Sequence, residues 1–305
     1  MTERLALFCK SFRDDFDRLG LLLHSARQHA GGYAFILSIP RGDLAALRER
    51  IGVPSHIKLI FDEDYAPAES NALPGWLQQQ VCKLSLHRTG LADSYLVIDS
   101  DSYLVAPVAD SDFLAGGRRK IVYSSLFTGY YEANVALSKF LTETDEAHAE
   151  ALASRRYCKV APGTTEGIAA RLAEYRAWLA AEKDPSPMDR GPWINKVFKV
   201  QAGTAFQPGQ ILHAALLAEM ETFFAGLGIS LADLIRLAPW EYNWYACWAA
   251  SARPDEVEPS ISPILHFASR EAVDHARRQR ITPAIIAKRF KIIQMAARHF
   301  DDRRF

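Results

Sequence analysis

An apolar run that stops on two carboxylates constrains this chain more than any other feature. Tyr95-Leu96-Val97-Ile98 leads into Asp99-Ser100-Asp101, and Ser102-Tyr103-Leu104-Val105 follows. A short, β-branched-rich run without alternation reads as a strand buried on both faces, as in parallel sheets. The carboxylates then fall at the carboxyl edge of the sheet, where open α/β folds hold their ligands. Converged carboxylates repel unless a cation sits between them. Oxygen ligands suit Mg²⁺ or Mn²⁺, which complete their shells with substrate phosphates and water. The plain alternative is an acidic turn, with Asp99 capping the strand and Asp101 solvated.

The flanking chain supplies the rest of such a sheet. Leu5 to Cys9, Ala34 to Ile39 and Ile57 to Phe61 read as strands. Between them Phe16, Leu19, Leu23 and Ala26 recur at helical spacing, and Asp43 can cap a helix over Leu44 to Ile51 that Gly52 ends. Strands alternating with helices predict a mostly parallel, Rossmann-like α/β sheet flanked by helices. A further helix, from Trp76 to about His87, has Leu77, Val81 and Leu84 on its core stripe. Trp76, Gln80, Lys83 and His87 fall on the neighbouring stripe, which is either a ligand-facing row or a half-exposed boundary with a snorkelling lysine.

Later segments follow a looser pattern. Lys120 to Ser124 reads as a strand, and Ile168, Leu172, Tyr175 and Leu179 as one helix face. Asp184 to Pro192, with its prolines, reads as a linker or mobile lid. A helix is expected from about Gln210 to Phe224, and Ser230 with Asp233 forms a capping box for the next. Pro239 to Trp248 is the most aromatic stretch. Its Glu241 reads either as a site carboxylate or as a first-turn charge on a core helix. Ser262 to Phe267 is a short apolar segment holding His266. From Arg270 the tail is basic, and Ile286, Phe290, Ile293, Ala297 and Phe300 predict a C-terminal helix. That helix either docks on the domain or lies on an anionic membrane surface.

Composition narrows the function classes. With 36 basic and 36 acidic residues in 305 the net charge is zero, which gives no general attraction for nucleic acid. The four cysteines (Cys9, Cys82, Cys158, Cys247) are scattered, as expected of reduced thiols in a cytoplasmic protein. No apolar run is long enough for a signal peptide or a membrane span.

The segment Tyr95 to Val105 resembles the Asp-x-Asp segment of GT-A fold glycosyltransferases. The longer block from Pro74-Gly75-Trp76-Leu77 through Lys83-Leu84 to Pro107 is similar to a bacterial family of sugar transferases in the nucleotide-diphospho-sugar clan. The resemblance implies a single GT-A-like domain with a nucleotide-binding half over 1–120, an acceptor-side half over 121–269 and a basic C-terminal helix over 270–305. It implies transfer of a sugar from a nucleotide-diphosphate donor to a glycan or lipid-linked acceptor, with Mn²⁺ (or Mg²⁺) held by Asp99, Asp101 and His266. Lys10, Ser11, Gln80, Lys83 and Asp99 would contact the donor, with the two lysines neutralising diphosphate. Glu241 would be the catalytic residue at the acceptor hydroxyl, with Tyr242 and Tyr245 on the acceptor side. Two rivals stand beside this reading. A haloacid-dehalogenase-like phosphatase would use Asp99 as nucleophile, but its motif opens the fold and carries Thr or Val where Tyr103 stands. A degenerate transferase would bind nucleotide or glycan without turnover.

Overall fold

Each early apolar run is a strand in the computed structural model, which describes residues 4–124, 131–149, 159–160, 162–182, 185–201, 210–267 and 269–295. The chain forms β1 (Leu5–Lys10), α1 (Phe16–His29), β2 (Ala34–Ile39), α2 (Leu44–Arg50), β3 (Ile57–Phe61), α3 (Gly75–Leu84), β4 (Ser94–Val97) and β5 (Ser102–Leu104). It continues through β6 (Leu114–Ala115), β7 (Arg118–Ser124), α4 (Tyr131–Thr142), β8 (Lys159–Val160), α5 (Thr165–Ala181), α6 (Pro187–Val197), β9 (Val200–Gln201) and β10 (Ile211–His213). Next come α7 (Ala214–Gly226), α8 (Leu231–Leu237), α9 (Glu241–Ala252), β11 (Val257–Ile261) and β12 (Ile264–Phe267). The described chain closes with α10 (Arg270–Arg278), α11 (Pro283–Ile286) and β13 (Ile292–Met295).

The main sheet is five-stranded, in the order β10-β4-β1-β2-β3. All its pairings are parallel except that of β10 with β4. Both faces are covered, which is why its strands show no polar alternation. Ala6 and Phe8 of β1, with Tyr95 and Val97 of β4, share a core with Val81 of α3, Leu216 of α7 and Trp244 of α9. The intervening Leu7, Cys9, Leu96 and Ile98 pack instead with Phe16 and Leu19 of α1 and Leu47 of α2. Gly52, at φ +71°, takes the left-handed conformation that follows α2. Asp43 makes no cap there and instead accepts from the Arg13 amide at 3.0 Å.

A second sheet of three strands, β12-β13-β5, has β13 at its centre. Leu104, Ile264 and Ile292 face the α1 cluster, while Leu265, Ile293 and Met295 pack with Phe140 of α4 and Val273 of α10. This replaces the expected C-terminal helix: Ile292–Met295 is a fully buried strand. Ile286, Phe290 and Ile293 are spaced like a helical stripe, yet each enters the core from a different local conformation. An apolar run buried on both faces has no period that separates strand from helix. Ala297 and Phe300 lie outside the described residues.

Two other expectations change. The Asp184 to Pro192 stretch is not a loop over its described length. Ser186 and Asp189 form a capping box, Pro187 occupies the first turn, and α6 runs on through Pro192. Proline there starts a helix, since its missing N–H has no partner to lose at that position. The helix expected from Gln210 begins only at Ala214, because Ile211–His213 extend along β4 as the antiparallel edge strand. The Ser230–Asp233 capping box forms as expected.

Candidate functional site

The carboxyl ends of β1, β3 and β4 gather Lys10, Asp62, Asp99 and Asp101 on one edge of the main sheet. α3 adds Gln80 and Lys83, the first turn of α9 adds Glu241 and Tyr242, and the small sheet adds His266 and Gln294.

Lys83 is the centre of the arrangement. Its ammonium is 2.9 Å from Asp99 Oδ1 and 3.1 Å from Glu241 Oε1, and it donates to Tyr242 Oη at 3.0 Å. Lys83 itself is 2% exposed. Burial works against its charge, but Asp99, Tyr242 and Glu241 together hold its pKa well above the usual lysine value. Burial likewise opposes the charge on Asp99, yet Lys83 and the Gln294 amide, 3.0 Å from Oδ2, pull its pKa down. Glu241 is pushed up by burial, with Lys83 offsetting only part of the cost. With the Gln80 amide nitrogen turned toward Glu241, it donates to both carboxylate oxygens, and the Gln80 carbonyl accepts from Trp76 Nε1 at 3.2 Å.

Asp101 has a different environment. It is 9% exposed, and burial and the Asp99 charge raise its pKa to about 7. His266 is pushed down to about 4 by burial, with Asp99 opposing, so at neutral pH it is an uncharged imidazole. Asp101 Oδ1, His266 Nδ1, Gln294 Oε1 and Ser102 Oγ are all buried without a hydrogen-bond partner. Gln294 is in register with His266 on β12 and with Ser102 on β5, which sets the three side chains on one face of the small sheet. Among the described residues no three His, Cys, Asp or Glu side chains group closely enough to hold an ion alone. The fit to a cation rests on these unpartnered acceptors, whose carboxylate, imidazole and amide oxygen chemistry suits Mn²⁺.

Several expected site residues serve other roles. Lys10 is buried and bound to Asp62 Oδ2 at 2.9 Å and to the Ser11 carbonyl at 2.7 Å. Asp62 also accepts from Ser38 at 2.6 Å, so the pair forms a strut under the sheet edge. Ser11 is fully buried; its amide donates to the Ser38 carbonyl at 2.9 Å, and its hydroxyl has no hydrogen-bond partner. Tyr245 is wholly buried with its hydroxyl accepting from the His213 amide at 3.0 Å, so it is a core residue and not an acceptor-side one. Glu241 is in the cluster but 2% exposed, with its oxygens engaged by Lys83 and the Gln80 amide. Sequence reasoning missed Gln294, because a helical tail placed it away from the site, and Arg18, which lies near enough to Asp101 to lower its pKa.

The fold and the site define an open α/β protein with a buried, lysine-anchored acidic cluster at the carboxyl edge of its parallel strands. The profile of a family of unknown function (DUF6492) matches residues 5–155, just under half of the 305. No curated protein matches the sequence. Among solved structures, the apo form of the WbbM bifunctional glycosyltransferase aligns over 97% of this chain at 11% identity, with a TM-score of 0.44. This chain covers 46% of that protein's length. Likeness of that degree carries nothing about chemistry, which has to come from the site.

Proposed function

We propose that the protein is a metal-dependent glycosyltransferase with a GT-A-like site, moving a sugar from a nucleotide-diphosphate donor to a glycan or lipid-linked acceptor. One observation carries this reading. Buried acceptors on Asp101, His266 and Gln294 lack partners beside a cluster in which Asp99 and Glu241 share the ammonium of Lys83 and the Asp99 charge bears on Asp101. The imbalance calls for a proton or a cation. A divalent ion with few protein ligands normally completes its shell with phosphate oxygens.

Asp101, His266 and Gln294 would hold Mn²⁺ or Mg²⁺, which when bound supplies charge to stabilise a departing nucleoside diphosphate. Asp99, with Lys83 on Oδ1 and Gln294 on Oδ2, fixes Lys83, aims the Gln294 amide and keeps a lone pair on each oxygen for the ion or its water. All three donors of Lys83 are engaged and Lys10 is tied to Asp62 and the Ser11 carbonyl, so Arg18, whose Nε lacks a partner, takes the diphosphate. Glu241 and Gln80 act as positioning residues that tie Trp76 at the surface to Lys83 within. The phosphatase reading is the weaker one, since Asp99 is ion-paired to Lys83 and follows three earlier strands rather than opening the fold.

Calorimetry of a nucleoside diphosphate with Mn²⁺ tests this. Asp101→Ala should abolish metal-dependent binding, whereas His266→Ala and Gln294→Ala should each weaken it roughly 10–100-fold. Binding by Asp101→Ala equal to that of the natural chain would sink the reading.

A further inference from the structure

The small sheet carries a second feature at its other end. Pro263 precedes β12 and Lys291 precedes β13, each three residues before the site residue of its strand. At about 3.3 Å per residue these positions lie roughly 10 Å from His266 and Gln294. There a cavity of about 450 Å³ opens between β7, β11 and the α11–β13 connection.

Its charges do not balance. Of the acids lining it, Glu258 is paired with Arg118 at 2.7 Å, Glu146 with Arg289, and Asp112 accepts from the Ala109 amide at 2.8 Å. Lys120, Lys288 and Lys291 also line it, and among the described residues none has a carboxylate within ion-pair distance. Lys120 and Lys291 both act on the Asp112 carboxyl, so three lysines against that one acid leave an excess of about two positive charges in one concavity. Lysine ammoniums meet phosphate as point charges. Phe140, Pro259 and Ile261 form an apolar wall, and Ser260, 8% exposed, adds a hydroxyl. The volume is that of a small-ligand site.

We propose that this cavity binds a phosphate-bearing ligand, a phosphomonoester or diphosphate, at a second site separate from the acidic cluster. The ligand's charge meets Lys120, Lys288 and Lys291, and its carbon body lies on the Phe140 wall. The ester is either a soluble metabolite or a lipid headgroup; both present the same chemistry to the lysines.

The test is calorimetry with inorganic pyrophosphate in EDTA, which silences any metal-dependent site. About one equivalent should bind to the natural chain and to Asp101→Ala alike. The combined Lys120→Gln, Lys288→Gln, Lys291→Gln variant should bind at least about tenfold more weakly while melting at the same temperature. Co-sedimentation with phosphatidylglycerol vesicles separates the two sources: lysine-dependent retention assigns the headgroup, and pyrophosphate binding without retention assigns a soluble ester. Absence of saturable pyrophosphate binding, equal binding by the lysine variant, or retention on vesicles by a protein that ignores pyrophosphate would each overturn the proposal.

Discussion

Lys83 neutralises two carboxylates that would otherwise repel, one buried (Glu241) and one partly exposed (Asp99). Lys83→Met removes the cation and leaves the buried Glu241, and the partly exposed Asp99 beside it, without a counter-charge. Breaking a buried pair in this way costs about 3–5 kcal/mol, which urea unfolding should read directly. Asp101 shows the opposite economy. Its folded pKa of about 7 lies above the usual 3.8, so the native state holds the proton more tightly than the unfolded chain. The contribution of Asp101 to stability is therefore complete below pH 3.8 and is lost as the pH climbs through 7. Asp101→Asn escapes that loss. In EDTA its melting temperature should exceed that of the natural chain by more at about pH 8.5 than at about pH 5. An equal difference at both would mean that Asp101 is ionised throughout.

At the scale of elements, β13 distinguishes the structure from the expected basic helix. Ile292 is fully buried at the centre of a sheet, so Ile292→Ala should cost about 2–4 kcal/mol by chemical denaturation. A residue on a peripheral docking helix would cost far less. Likewise Ser186→Ala should lower stability by about 1 kcal/mol through loss of the α6 cap. The sequence is most readable where one local signal suffices: β1 to β4 by apolar runs between helical patterns, α8 by its capping box, and the acidic edge by Asp99 and Asp101. It was least readable where tertiary pairing decides. Ile211–His213 is a strand only because β4 offers an open edge, and Gln294 enters the site only because β13 threads between β12 and β5. Pro187 was misread because the same residue that breaks a helix interior also begins one.

At the scale of the whole molecule, the site is assembled from distant parts of the chain. Lys83, Asp99 and Asp101 lie within the 5–155 stretch that matches the family profile, whereas Glu241, His266 and Gln294 lie beyond it. A fragment of residues 1–155 lacks α9, β10, β12 and β13, so it should show no cooperative unfolding transition by circular dichroism and no Mn²⁺-dependent nucleotide binding. β4 belongs to the large sheet and β5 to the small one, yet only Ile98 to Asp101 separate them. That link is a weld rather than a joint: the Ile98 amide donates to the Phe8 carbonyl of β1 at 2.8 Å, and the Asp101 carbonyl accepts from the Met295 amide of β13 at 3.1 Å. A ligand held at Asp101 and Gln294 would therefore brace both sheets along one seam. Hydrogen exchange should show it as slower opening of the β13 amides when Mn²⁺ and a nucleoside diphosphate are bound.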